Sequence, residues 1–224
     1  MSANSLAASD RAAALALFPL PPETERRLAI YADLLAKWQK TINLVAASTL
    51  PHLWMRHFAD SLQVQAAAPA AGCWVDLGSG AGFPGLVTAI RLAEEPGATV
   101  HLIESDQRKC AFLREVSRET GAPTVIHSGR IETVVAEIDA SVEAVSARAL
   151  APLPDLLRYA ERFLDQGAIG VFLKGQDVAR ELTDLDASSR YHLILRESVT
   201  SRSGRLVIVG RPDRPDIASQ QTAE

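Results

Sequence analysis

The chain has 224 residues, of which 47% are hydrophobic and 22% are charged, and this is the composition of an ordinary globular protein with one domain, or with one domain and a small appendage. Its apolar stretches are shorter than the about 20 residues that a membrane-spanning helix needs, and its start lacks the features of a secretory signal, so we expect a cytoplasmic protein with no membrane association. The net charge of −4 excludes a uniformly basic surface but leaves room for a local basic patch.

The first 70 residues are predicted to form a helical extension. The opening dozen are rich in alanine and serine without a clear pattern, and we expect them to be mobile. A helix is predicted to begin near Glu23, because prolines directly before it suit a first helical turn. Apolar residues at three- and four-residue steps mark its buried face: Leu28, Tyr31, Leu35, Trp38 and Ile42. A second, shorter helical stretch carries Leu53, Phe58 and Leu62.

From residue 72 onward, short apolar runs alternate with helical segments. Strands are predicted at residues 73–77, 99–104, 124–126, 142–147 and 168–173. Helices are predicted at residues 84–92, 106–120, 130–138, 154–164 and 178–185. Two further β-rich runs, 191–199 and 205–209, are close enough to pair as an antiparallel hairpin. The pattern predicts an open α/β sheet that is mostly parallel, with a C-terminal hairpin and an N-terminal helical cap.

The segment from Asp76 to Gly85 reads DLGSGAGFPG and lies between a predicted strand and a predicted helix. Glycines at 78, 80, 82 and 85 remove side chains where the backbone must turn, so a ligand can approach the main chain and the start of the helix. Glu104 ends the next strand, beside this loop, and could accept hydrogen bonds from both hydroxyls of a ribose. Asp76 could hold a cationic amino group or fix the loop.

This loop has three interpretations: a turn that serves only helix–strand packing, a dinucleotide-binding loop, or a loop that binds a different nucleoside. Residues 80–85 match G-x-G-x-x-G, with an acid about 20 residues further on, so a NAD-type Rossmann oxidoreductase is the alternative. However, a dinucleotide loop does not need Asp76, and the chain shows no second mononucleotide-binding half before its terminal hairpin. These features favour a nucleoside with a zwitterionic tail, namely S-adenosylmethionine.

Further motifs lie on both sides of the loop. They are Trp38, Asn43-Leu44, RHFADSL at 56–62, GRIE at 129–132, SARA at 146–149 and Lys174-Gly175. With the glycine loop, these motifs resemble the bacterial 16S rRNA guanine-N7 methyltransferase family known as RsmG or GidB, over about residues 28–209. The resemblance implies a Rossmann-like class I methyltransferase fold with a seven-stranded sheet, S-adenosylmethionine as cofactor, and methylation of a guanine in the 530 loop of 16S rRNA. A non-catalytic ribosome-binding module on the same fold is a further alternative.

The site predictions follow from the loop and from the resemblance together. The loop and the strand that follows it predict cofactor contacts at Asp76, Gly78, Gly80, Gly82 and Glu104, and the resemblance implies contacts at Gly78, Phe83, Ile131, Glu132 and Arg148. Arg148 is the candidate catalytic residue, and no general base is expected because guanine N7 already has an available lone pair. His57 and Asp60 lie three residues apart, and a structural hydrogen bond under the cap is the main interpretation of this pair, with substrate positioning as the alternative.

The candidate RNA contacts are scattered. They are Arg56, His57, Lys174, Arg202, Arg205, Arg211 and Arg214. Because the protein is acidic overall, we expect it to recognise 16S rRNA within a preassembled small-subunit particle more than as free RNA. Separately, we expect a monomer. The two cysteines, Cys73 and Cys110, fit no zinc spacing, so we expect free thiols and no metal site. The predicted boundaries are 1–70 for the cap, 71–211 for the methyltransferase domain and 212–224 for a flexible tail.

Overall fold

The computed structural model describes residues 3–183 and 190–212. Its strands are β1 (Cys73–Leu77), β2 (Thr99–Glu104), β3 (Thr124–Ser128), β4 (Ala144–Arg148), β5 (Ile169–Lys174), β6 (His192–Glu197) and β7 (Arg205–Gly210). They form one seven-stranded sheet in the order β3-β2-β1-β4-β5-β7-β6. The pairings of β1 to β5 are parallel, whereas β7 is antiparallel to both β5 and β6. The predicted parallel sheet and the predicted terminal hairpin are therefore confirmed.

Helices connect and cover the strands. They are α1 (Ala3–Leu17), α2 (Pro22–Trp38), α3 (Asp60–Ala67), α4 (Gly85–Arg91), α5 (Gln107–Thr120), α6 (Ile131–Glu137), α7 (Leu153–Asp165) and α8 (Val178–Thr183), together with a 3-10 helix (Ala47–His52) and a π-helix (Trp54–Ala59). The ends of α5 follow from the sequence: Asp106 caps its first turn by accepting from the Arg108 N–H at 2.8 Å, and Gly121 ends it at φ 65°. The predicted end of α8 at 185, and the predicted tail 212–224 apart from its first residue, lie outside the described residues. None of the described helices is long and apolar enough to cross a membrane.

Two hydrophobic clusters cover the two faces of the sheet. Successive residues of a strand point to opposite faces, so Trp74 packs in the cluster that includes the cap, while Val75 packs in the cluster under α7. On the cap side, Tyr31 of α2 contacts Phe112 of α5 with ring centroids 6.1 Å apart. Ile42 lies beyond the end of α2, contrary to the predicted stripe, but still packs against the same cluster. The N-terminal helices thus cover one face of the sheet.

Despite the weak pattern of the opening dozen residues, those from residue 3 onward are helical. Residues 3–17 form α1, and Asp10 on this helix is only 7% exposed. Its Oδ2 accepts the N–H groups of Trp54 at 2.9 Å and Met55 at 3.3 Å, at the start of the π-helix. Arg11 forms an ion pair with Glu25 at 2.7 Å. These polar contacts join residues far apart in sequence, so the composition of the segment could not predict them.

We expect Asp10→Ala to lower the free energy of unfolding by about 1 kcal/mol, because the two N–H groups at the start of the π-helix lose their acceptor. Urea denaturation monitored by circular dichroism measures this change. Asp33→Ala, on the exposed face of α2, is the control and is expected to change stability by less than about 0.5 kcal/mol. Equal effects of the two variants would contradict the capping role of Asp10.

Candidate active site

A cleft of about 820 Å³ opens at the carboxyl ends of β1, β2 and β4. The strand order reverses between β1 and β4, and open α/β sheets bind ligands at this point. The volume is within the range of about 300–1,000 Å³ that is usual for ligand pockets. The cleft is therefore where the sequence predicts it.

The glycine loop after β1 adopts a backbone that side chains disfavour. Gly78, Gly80 and Gly82 have φ values of 64°, 57° and 96°. A Cβ on Gly78 would lie 2.6 Å from Leu150 Cδ1, and one on Gly82 would lie 2.6 Å from the Tyr31 hydroxyl. Gly78 and Gly80 line the cleft, whereas Gly82 faces Tyr31 behind the loop.

Glu104 lies against the loop, as predicted. This carboxylate is only 8% exposed, and its two oxygens accept the N–H groups of Gly80 at 2.8 Å and Asp106 at 2.7 Å. An ionised carboxylate offers about four acceptor positions, so two remain for other donors. Glu104 thus fixes the loop and can still bind two ligand hydroxyls.

Asp76 is fully buried beneath the loop and is not among the residues that line the cleft. Its Oδ1 accepts the Ser146 hydroxyl at 2.7 Å, which joins β1 to β4. Of its two predicted roles, this position fits fixing the loop and not direct contact with a ligand. Burial raises the pKa of Asp76 to about 6, although the hydrogen bond from Ser146 opposes the shift.

We expect Asp76→Asn to remove a pH-dependent loss of stability. The pKa of Asp76 is about 6 in the folded state and 3.8 for a free carboxyl, so between these values the folded state binds more protons than the unfolded state. The contribution of Asp76 to stability therefore falls as pH rises from about 4 to about 6. In urea denaturation, the unfolding free energy of the variant minus that of the wild type should rise across this window and stay constant above about pH 7. A difference that does not vary with pH would contradict the raised pKa.

Arg148, at the end of β4, joins the cap to the glycine loop. Its guanidinium donates to the Arg56 carbonyl at 3.1 Å, to Asp60 Oδ2 at 3.3 Å and to His57 Nδ1 at 2.8 Å. Its central carbon lies 5.0 Å from the centre of the Phe83 ring. The predicted pairing of His57 with Asp60 is thus indirect, since both side chains contact the same arginine.

His57 is held as a neutral ring. Arginine can only donate, so His57 Nδ1 accepts and the Nε2–H donates to the Thr49 hydroxyl at 2.8 Å. Burial and the neighbouring charge of Arg148 lower the pKa of His57 to about 3. The ring is 7% exposed, so its position fits the structural role better than a contact with phosphate.

The other predicted cofactor residues also lie at the cleft. Phe83 is 4% exposed and stacks on Tyr31 with ring centroids 5.3 Å apart. Ile131 and Glu132 begin α6 and line the cleft, and Glu132 accepts the Tyr159 hydroxyl at 3.2 Å. The chain therefore brings the predicted cofactor residues together, with Asp76 and Gly82 lying behind the loop.

The candidate RNA contacts are not gathered in one place. Arg56 and Lys174 line the cleft, but Lys174 Nζ forms an ion pair with Glu181 at 2.7 Å and its side chain is only 10% exposed. Arg205 donates to the carbonyls of Arg202 and Gly204 at the rim. Arg211 donates to the Asp165 carbonyl near the amino end of β5, at the end of the sheet opposite the cleft. Arg214 lies outside the described residues.

Sequence reasoning missed the role of Tyr31, which it placed only in an apolar stripe. The Tyr31 hydroxyl donates to the Ala81 carbonyl within the glycine loop. A buried tyrosine hydroxyl usually needs a partner, so a tyrosine in an otherwise apolar stripe was the available signal. Ala149 was also missed: it follows Arg148 in the cleft lining with a φ of 51°, a strained conformation for a residue with a side chain.

Comparison with known proteins identifies the family. The family model described as rRNA small subunit methyltransferase G matches residues 24–208. This chain belongs to that family. The ribosomal RNA small subunit methyltransferase G of a Bradyrhizobium species is 53% identical over 202 residues, covering 90% of each chain. The protein of that name from Nitrobacter hamburgensis is 50% identical over 211 residues, covering 94% of this chain and 81% of the relative.

Solved structures with little sequence identity share the fold. An O-methyltransferase from Bacillus cereus in complex with SAH has a TM-score of 0.60 at 14% identity, covering 94% of this chain and all of the other. A putative O-methyltransferase from Klebsiella pneumoniae has a TM-score of 0.61 at 15% identity, covering 91% of this chain and 96% of the other. The predicted class I methyltransferase fold and the predicted family are confirmed, and the oxidoreductase alternative is not favoured.

Proposed function

We propose that this protein transfers the methyl group of S-adenosylmethionine to N7 of a guanine in the 530 loop of 16S rRNA. The observation that carries the proposal is the cleft at the β1–β4 switch, where Glu104 binds the glycine-loop N–H of Gly80 at 2.8 Å. Membership of the rRNA small subunit methyltransferase G family supports the substrate class.

The residues present fit this cofactor. Gly78 and Gly80 leave the main chain bare on the cleft side, and the remaining acceptor capacity of Glu104 suits the two hydroxyls of a ribose. Ile131 and Glu132, at the start of α6, would frame the adenine, and Phe83 and Arg148 would complete the site. Asp76 and Gly82 would act from behind, by holding the loop in shape.

The reaction requires little of this chain except that it aligns the guanine base with the methyl group of the cofactor. The bound cofactor supplies an electrophilic methyl group on a sulfonium. Guanine N7 has an in-plane lone pair, so no side chain has to remove a proton from it. Holding the base in line with the methyl group can contribute about 7–11 kcal/mol of barrier reduction. Arg148 presents a guanidinium that suits the acceptors of a base edge or a phosphate, and the neutral His57 holds it in place.

The charges of the cleft favour a structured substrate over free RNA. Its lining has as many carboxylates as cationic groups: Asp60, Glu104, Glu132, Asp177 and Glu181 beside Arg56, Lys109, Arg130, Arg148 and Lys174. A balanced lining gives little general attraction for phosphate, so affinity would depend on shape and on rim residues such as Arg202 and Arg205. We therefore infer that the protein acts on a preassembled small-subunit particle, and we propose that it does so as a monomer.

Two measurements test the proposal. Calorimetry should detect binding of S-adenosylmethionine and of its demethylated product, and absence of binding by both would refute the cofactor assignment. Transfer of labelled methyl groups into small-subunit particles, followed by mapping of the modified nucleotide, tests the reaction. Binding without transfer would favour the non-catalytic module, and equal transfer to short naked RNA would refute the preference for a particle.

A further inference from the structure

The connection between β6 and β7, residues 198–204, forms one wall of the cleft. Ser201, Ser203 and Gly204 contribute to the lining. In the strand order, the glycine loop and Glu104 belong to β1 and β2 on one side of β4, whereas this connection belongs to β6 and β7 on the other side. The connection therefore borders the part of the cleft away from the predicted ribose contact.

Gln63 ties this connection to the cap. It lies on α3 and is 6% exposed. Its Nε2 lies 3.0 Å from the Ser198 hydroxyl and 3.1 Å from the Thr200 hydroxyl, and its Oε1 accepts the Val199 N–H at 3.2 Å. One amide side chain thus holds three successive residues of the connection.

Asp60 extends this network to Arg148. Its Oδ1 accepts the Thr200 hydroxyl at 2.6 Å and the Gln63 amide at 2.9 Å, and its Oδ2 lies 3.3 Å from Arg148 Nη1. The hydrogen bonds run without a break from the connection, through Asp60, to the guanidinium in the cleft. The wall of the cleft and Arg148 thus share Asp60 as a hydrogen-bond partner, while the bonds of Arg148 to the Arg56 carbonyl and to His57 do not involve the connection.

We propose that Gln63 is a positioning residue for the RNA substrate. It holds the 198–204 connection in place, and this connection is the wall of the cleft that contacts the RNA. This inference rests on the proposed function, because it names the part of the same site that meets the RNA. The side chains of Ser198, Val199 and Thr200 are partly or fully exposed, so water can replace the bonds that Gln63 makes with them. Loss of Gln63 should then loosen the connection without unfolding the protein.

The test compares Gln63→Ala with Gln65→Ala, a glutamine two positions further along α3 that does not share its face. We expect Gln63→Ala to raise the KM for small-subunit particles about tenfold, the equivalent of one to two hydrogen bonds, while the Kd for S-adenosylmethionine stays unchanged. Amide hydrogen exchange at Val199 should become faster in this variant. The control should match the wild type in all three measurements.

A second variant keeps the inference testable if Gln63→Ala does not fold. Thr200→Val removes the hydroxyl that both Gln63 and Asp60 contact and keeps the side-chain shape, so it should raise the same KM. An unchanged KM in an active protein, or a weaker affinity for S-adenosylmethionine with an unchanged KM, would overturn the role of Gln63. A wild-type protein that methylates no small-subunit particle would instead refute the proposed function itself.

Discussion

Gly78→Ala is expected to weaken S-adenosylmethionine binding by about 10- to 100-fold, the equivalent of the 1–3 kcal/mol that overpacking costs. The new Cβ would lie 2.6 Å from Leu150 Cδ1. Leu150 also lines the cleft, so if the new methyl group displaces the Leu150 side chain, that side chain occupies space that the ligand needs. If the loop moves instead, the Gly80 N–H is displaced from Glu104. Gly78→Val, with a branched side chain, should bind no measurable cofactor. Isothermal titration calorimetry measures both affinities.

Gly121→Ala is the matched control for Gly78→Ala. Gly121 has a φ of 65°, against 64° for Gly78, so both alanines carry a similar left-handed strain of about 1–2 kcal/mol. Within the described part of the chain, and apart from its two chain neighbours, no residue has an atom within 4 Å of a Cβ at Gly121, which ends α5 away from the cleft. Its affinity for S-adenosylmethionine should equal that of the wild type. Equal losses at the two glycines would show that strain, and not the cleft, controls binding.

Arg148→Ala should reduce the rate of methyl transfer about 100-fold or more, as is usual when a positioned charged donor is lost from an active site. The guanidinium satisfies the Arg56 carbonyl, Asp60 and His57 at the same time and lies over Phe83. Arg148→Lys should not restore the rate, because an ammonium lacks the planar group that reaches all these partners. Single-turnover transfer of labelled methyl groups into small-subunit particles is the measurement.

Arg118→Ala is the control for charge removal, since the Arg118 side chain on α5 is 71% exposed. It should keep the wild-type rate. Thermal melting of each variant establishes that it is folded under the assay conditions. Full activity of Arg148→Lys would refute the need for a guanidinium, and a loss at Arg118 equal to that at Arg148 would refute a specific role for Arg148.

The strands and helices of the core were predictable because their signals are local. The bounds of β1 and β2 match the predicted 73–77 and 99–104, since short apolar runs between turn residues are typical of buried parallel strands. The ends of α5 follow from Asp106 and Gly121, which act within one turn of the helix. The position of Glu104 beside the glycine loop follows from the meeting of parallel strand ends at one edge of the sheet.

The contacts that hold the site together were not predictable in the same way. Tyr31 bonds to Ala81 across 50 positions, Arg148 bonds to His57 across 91, and Gln63 bonds to Ser198 across 135. A single polar contact between distant residues leaves no periodic pattern, so each residue resembles core or surface when the sequence is considered alone. The burial of Asp76 behind the loop was not predictable either, because it depends on which strand lies beside β1.

The sequence by itself determined the α/β architecture, the glycine loop and the acid beside it, and its motifs resemble the family that the comparisons confirm. These properties depend on the periodicity of burial and on backbone conformations that few residues adopt. Only the tertiary structure decided that α1 is anchored by Asp10, that His57 is a neutral partner of Arg148, and that Gln63 holds the wall of the cleft. The reason is physical: buried polar groups must find partners, and the folded backbone decides which partners are within reach.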